Sequence, residues 1–161
     1  MSVILSSEVT PLKMVLVEPE IPPNIGAVSR ICACIGSPLY IVGKIAFDEN
    51  HPRRKRAGLD YWELVEKFYE PDIDAFFEKL GGRFHLFSTK VGNSMYDSRF
   101  LPGDALAFGS ETKGLPRWLL DKYPGNCVRI PMMKDIRSLN LANSVGIGAY
   151  EAIRQIHSLG T

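Results

Sequence analysis

Ala105-Leu106-Ala107-Phe108-Gly109-Ser110-Glu111-Thr112-Lys113-Gly114-Leu115-Pro116 joins an apolar run to a glycine-bounded polar loop. Four apolar residues without a polar break read as a strand buried on both faces, the kind a parallel sheet contains. Gly109 then lets a ligand approach the backbone. Gly114-Leu115-Pro116 turns the chain into a helix with proline in its first turn. Two further segments also put glycine, proline or small polar residues after an apolar run. They are Asn24-Ile25-Gly26-Ala27-Val28-Ser29-Arg30, and Ile130-Pro131-Met132 continuing to Ser138-Leu139-Asn140-Leu141-Ala142-Asn143. Such places are where open α/β sheets bind small molecules.

Working outward, the pattern predicts strands at Met14–Glu18, Leu39–Gly43, Phe84–Ser88, Ala105–Gly109 and Cys127–Ile130. Helices are predicted at Asn24–Ile35, Asp60–Phe68, Asp72–Leu80, Pro116–Lys122 and Leu139–His157. Strands alternating with helices define an α/β fold with a mostly parallel sheet flanked by helices. Residues 1–13 read as an N-terminal extension and residues 14–161 as one domain, with no internal repeat or linker. At 161 residues, with 45% hydrophobic and 23% charged residues, the chain can bury a core without staples. No apolar run approaches the ~20 residues that span a bilayer, and no secretory signal opens the chain.

The three cysteines, Cys32, Cys34 and Cys127, sit inside apolar runs and read as buried reduced thiols of a cytoplasmic protein. Neither they nor His51, His85 and His157 stand at metal-ligand spacing, so no metal is expected. A net charge of +1 means that any nucleic-acid binding rests on a local patch. Arg53-Arg54-Lys55-Arg56 is the candidate, although such a run alone is more often a solvated loop than a binding site.

The first helix has Asn24 as a good N-cap after Pro22-Pro23, and Gly36 as its left-handed stop. Between Glu20 and Lys44 the only charged residue is Arg30. Its apolar neighbours predict a helix buried on most sides, with a guanidinium that needs a partner. That partner is either Glu18 or Glu20 in a structural role, or a functional site. In the last helix Ala142, Gly146 and Ala149 form a smooth stripe for a close helix neighbour, within the fold or across a dimer interface.

No Gly-x-Gly-x-x-Gly follows the first strand, and there is neither a Walker lysine nor a Gly-x-Ser-x-Gly elbow. The loops after the fourth and fifth predicted strands remain. Singly each reads as an ordinary turn. Jointly, with Arg30 and Ser138–Ser144, they suit an adenine held by main-chain groups and apolar contact.

From about Met14 to His157 the three segments, in order and spacing, resemble the signature motifs of the SPOUT class of RNA methyltransferases. Glu18-Pro19-Glu20-Ile21-Pro22-Pro23-Asn24, Arg56-Ala57-Gly58-Leu59-Asp60-Tyr61 and Tyr150-Glu151-Ala152 are similar to the branch that methylates the 2′-oxygen of the tRNA wobble nucleotide. The resemblance implies a SPOUT fold with a C-terminal deep trefoil knot, S-adenosyl-L-methionine as cofactor, and a homodimer whose active site draws on both subunits. It implies a cofactor site at Phe87, Gly109, Leu115, Ile130, Met132 and Ser138, and Arg30 beside the ribose hydroxyl. Asn24, Glu111, Ser138 and Asn140 would be the polar groups around it. Arg53, Arg54, Arg56 and Lys113 would then contact RNA phosphate, with Tyr61 or Trp62 stacking on an unpaired base. Three positions depart from the family pattern. Ile25 stands where threonine is common, Ser110 where proline is common, and Lys113 where arginine is common, the last affecting RNA affinity. Two alternatives keep the scaffold: a ribosomal RNA 2′-O-methyltransferase, and a non-catalytic RNA-binding protein.

Overall fold

The computed structural model describes Leu5, residues 11–46 and residues 59–158. Its strands are β1 (Lys13–Val17), β2 (Leu39–Val42), β3 (Lys67–Glu70), β4 (Phe84–Phe87), β5 (Asn93–Ser94), β6 (Ala105–Phe108) and β7 (Cys127–Arg129). They form one seven-stranded sheet in the order β3-β2-β1-β6-β4-β7-β5, and every pairing is parallel. The helices are α1 (Pro22–Ile35), α2 (Ile73–Lys79), α3 (Arg117–Lys122) and α4 (Leu141–Ser158).

Alternation along the strands sorts the core into two layers. Met14 and Leu16 of β1 pack with Val28 and Cys32 of α1 and with Val145 and Ala149 of α4. Val15 and Val17 face the other way, onto Phe76 and Phe77 of α2 and Leu119 and Leu120 of α3. Side chains from successive residues of a strand point to opposite faces, so a strand apolar throughout needs cover on both. That is why β1 and β6 carry no polar side chain between their first and last residues.

Three expectations are corrected. Residues 60–68 are not one helix. Leu59–Leu64 is a 3-10 turn and Lys67–Glu70 is the edge strand β3. Trp62 and Val65, both buried, sit three apart and mimic a helical stripe. The half-exposed edge strand shows no apolar run, and the stacking of Tyr40 on Phe68 at 4.8 Å ties it to β2. Helix α1 starts at Pro22 and not at Asn24, with Ile21 in the cap position and no side-chain cap. The two prolines themselves occupy the first turn, which releases the Asn24 side chain for other work. Gly36 does end the helix, at φ 67°.

Nor is α1 buried on most sides. Ile25, Val28, Ser29 and Cys32 face the core, while Ala27, Arg30 and Cys34 are exposed. Cys34 is therefore a surface thiol. Burial pushes the Cys32 thiol up to about 12 and keeps it protonated. In α4 the small-residue stripe serves the fold itself, with Gly146 facing Ile31 of α1. No helix among the described residues is long and apolar enough to cross a membrane.

Candidate functional site

Strand order reverses around β1: the chain runs outward through β2 and β3, then returns to build β4, β6 and β7 on the other side. The crevice at the carboxyl ends of strands flanking such a switch is open to a ligand. Here it is a cleft of about 520 Å³, walled by the segments after β4, β6 and β7 and by the start of α4. Phe87 and Phe108 form a floor, their rings stacked at 4.5 Å between centroids. Gly148 of α4 lies behind them. A Cβ there would come within 2.8 Å of Phe87 Cζ, so this helical glycine makes room for the aromatic pair.

The loop after β6 is folded back on itself. Ser110 and Gly114 form an antiparallel bridge, and a Cβ on Gly109 would lie 2.0 Å from Gly114 C and Leu115 N. Only glycine fits at that crossing. Lys113 N–H donates to Ser110 Oγ at 3.2 Å, and Lys90 Nζ donates to the Lys113 carbonyl at 2.8 Å. The loop is thereby pinned to the segment after β4.

Its other anchor is Glu111. One carboxylate oxygen accepts the Glu20 N–H at 2.8 Å. The other accepts the Ile21 N–H at 3.0 Å and Asn24 Nδ2 at 3.2 Å. A carboxylate 90 residues away in sequence thus caps the uncapped start of α1, where the helix dipole favours negative charge. Asn24 Oδ1 in turn accepts Asn140 Nδ2 at 3.1 Å. Asn140 Oδ1 accepts the Asn143 N–H at 3.2 Å, the bond of an N-cap residue on α4. Glu111, Asn24 and Asn140 thus form one line of hydrogen bonds joining three segments far apart in sequence.

Of the residues expected around a cofactor, Phe87, Gly109, Ile130, Met132 and Ser138 line the cleft. Leu115 does not. Its side chain is buried in the core between sheet and α3, and only its backbone borders the loop. Lys113 lies on the cleft wall, while Arg53, Arg54 and Arg56 fall outside the described residues. Arg30 stands apart. It is six residues beyond Asn24, about 9 Å along the helix, and is not on the cleft wall. It pairs with neither Glu18 nor Glu20. Its guanidinium lies 4.6 Å from the Tyr61 ring centroid. Trp62 is only 4% exposed and packs in the core, so it is not a free stacking surface.

Sequence reading missed Ser88, Thr89, Lys90 and Arg137 on the cleft wall. Ser88-Thr89-Lys90 follows β4 as Gly109-Ser110-Glu111 follows β6, and that repetition of an apolar strand and a polar loop was the available signal. Among the described residues no group of three or more His, Cys, Asp or Glu is placed to hold a metal ion.

A parallel α/β domain with a backbone-lined cleft at its switch point defines a small-molecule-binding enzyme scaffold. Residues 11–150 match the model of the SpoU rRNA methylase family, and the chain belongs to that family. It is 44% identical over 146 residues to a tRNA (cytidine(34)-2′-O)-methyltransferase of Burkholderia cenocepacia strain HI2424, covering 88% of this chain and 94% of that protein. A solved structure concerned with 2-OH methylation of C/U34 on tRNA superposes with a TM-score of 0.84 at 44% identity. It covers 91% of this chain and 97% of the other. The SpoU methyltransferase AviRb from Streptomyces viridochromogenes, solved with AdoMet, is 24% identical with a TM-score of 0.77. It covers 91% of this chain and 58% of its own, and shares the fold.

Proposed function

We propose that this protein transfers a methyl group from S-adenosyl-L-methionine to the ribose 2′-oxygen of the wobble nucleotide, cytidine or uridine, of tRNA. The observation that carries the reading is the Glu111–Asn24–Asn140 line, which joins three family-like segments around one cleft, in a chain 44% identical to a tRNA (cytidine(34)-2′-O)-methyltransferase. The place of action is the cytoplasm, and the interleaving of β6 and β7 with β4 and β5 supports a knotted C-terminal third.

The cleft suits the cofactor by its own chemistry. Its volume lies in the usual range for small-molecule sites, Phe87 and Phe108 offer an apolar floor, and Gly109 clears a side chain from the loop. Gly109, Ile130, Met132 and Ser138 would hold it, with Leu115 contributing backbone alone. When bound, the cofactor supplies an electrophilic methyl group on a sulfonium. The chain's own tasks are to align the ribose and handle one proton. Both oxygens of Glu111 already accept N–H donors, so this carboxylate braces α1 against the β6 loop. A guanidinium stays protonated throughout, so Arg30 orients the hydroxyl and stabilises negative charge developing on it.

A second copy of the chain completes this reading. Arg30 does not line its own cleft; α1 exposes Ala27 and Cys34 beside it in the helix, and α4, which packs against α1, exposes Ile147 and Tyr150, the last 52% exposed. Pairing two such faces covers apolar surface and brings Arg30 to the partner's cleft. Light scattering tests this, and a monomer at working concentration contradicts it. The activity test is label transfer from methyl-labelled cofactor to unmethylated tRNA. Arg30→Lys keeps the charge but loses the fork, so the rate falls roughly 100-fold while cofactor binding survives. Near-normal turnover by Arg30→Lys removes the assignment.

A further inference from the structure

The function above leaves one contact unused: the aromatic ring against which Arg30 rests. Arg30 is exposed, and among the described residues its guanidinium pairs with no carboxylate and lies over the Tyr61 ring, 4.6 Å from its centroid. The manner of holding matters. A carboxylate partner would occupy the in-plane N–H groups of the guanidinium, whereas an aromatic face takes only its π surface. Held over the Tyr61 ring, Arg30 loses freedom of motion while no carboxylate among the described residues occupies its N–H donors.

Tyr61 is placed firmly enough to do this. It belongs to the 3-10 turn Leu59–Leu64, which packs along α1. The next residue, Trp62, is inserted into the core that contains Val28 and Cys32 of α1. Lys67 donates to the carbonyls of Trp62 and Val65, the latter at 3.0 Å, and its ammonium lies over the Trp62 ring. The platform is therefore anchored by the residues that directly follow Tyr61, which is itself half-buried. None of these contacts involves the cleft, so the arrangement is separable from cofactor binding.

We propose that Tyr61 is the positioning residue for Arg30, holding the guanidinium in a donor-ready orientation for the substrate. This rests on the assignment of Arg30 to the reaction. The test is a double-variant cycle in the methyl-transfer assay, with kcat and cofactor KM measured separately and melting temperature recorded for each protein. Tyr61→Leu should lower kcat about 10-fold with cofactor KM unchanged, because a group held in place loses its effective concentration when freed. Tyr61→Phe keeps the ring face and should stay within about twofold of the parent. Arg30→Ala should be no worse when combined with Tyr61→Leu, since the ring then has nothing to hold.

Full kcat in Tyr61→Leu, with Arg30→Ala inactive, overturns the role of Tyr61 and leaves that of Arg30 intact. Normal turnover in Arg30→Ala overturns the assignment beneath both. A Tyr61→Phe variant as slow as Tyr61→Leu also refutes the proposal, because the hydroxyl and not the ring would then be what matters. If Tyr61→Leu melts much earlier than the parent, Tyr61→Phe and Tyr61→Trp, which keep the bulk, decide the matter. Both should retain kcat, and a loss of kcat in both overturns the proposal.

Discussion

Replacing Glu111 by alanine tests how the site is braced. The carboxylate accepts the N–H groups of Glu20 and Ile21 and the amide of Asn24, at a helix start that has no other side-chain cap. Loss of an N-cap acceptor costs about 1 kcal/mol, and loss of a negative charge at a helix N-terminus about 0.5 kcal/mol. Asn24 is half-buried and loses a partner, which adds roughly 0.5 kcal/mol at this exposure. The sum is about 2 kcal/mol, or a fall of roughly 4–8 °C in melting temperature for a chain of this size. Circular dichroism melts of Glu111→Ala, Glu111→Gln and Glu78→Ala measure it. Gln keeps one acceptor oxygen and should lose about half as much. Glu78, whose side chain is 62% exposed in its pair with Lys122, should change stability by less than about 0.5 kcal/mol. A Glu111→Ala protein that melts with the parent would refute the bracing role, and the carboxylate would have to be reconsidered as a reacting group.

Three other outcomes follow from the same structure. Gly109→Ala puts a methyl 2.0 Å from backbone atoms of Gly114 and Leu115, so it should abolish cofactor binding by calorimetry; unchanged affinity contradicts the folded-back loop. Asp104 is the second case. Burial raises its pKa, but the hydrogen bonds from His85 and the Leu101 N–H and the Arg83 charge outweigh it, and the carboxyl sits below its ordinary 3.8. Its contribution to stability is thus present at neutral pH and lost as pH falls below about 4. Asp104→Asn should flatten that acid limb in urea titrations, and an unaltered acid limb counts against the pairing. Neutralising Arg53, Arg54 and Arg56 together should weaken tRNA binding and reduce its salt slope by roughly 3, and an unchanged slope returns that run to a solvated loop.

Much of this molecule could be read from its residues, and the failures have physical causes. β1, β2, β4, β6 and β7 were legible because strands covered on both faces must be apolar throughout. β3 and β5 were not, since an edge strand with one wet face carries no such run. The exposed side of α1 was misread because Ala27 and Cys34 have the same hydropathy on a surface as in a core. At the site, Asn24, Glu111 and Asn140 could be named from the sequence, but nothing local reveals that Glu111 caps α1 across 90 residues. Asn24 looked like the cap because the proline pair that replaces it in the first turn resembles a lead-in. Leu115 meets the loop by its backbone while its side chain turns into the core, a division that the residue's identity alone does not reveal.

The most direct measurement of the central claim is nucleoside-resolved mass spectrometry of tRNA incubated with this protein and methyl-labelled S-adenosyl-L-methionine. Label is expected in a 2′-O-methylated cytidine or uridine at the wobble position, and is expected to be absent with Arg30→Ala. Label at another nucleotide, or only in ribosomal RNA offered in parallel, would contradict it.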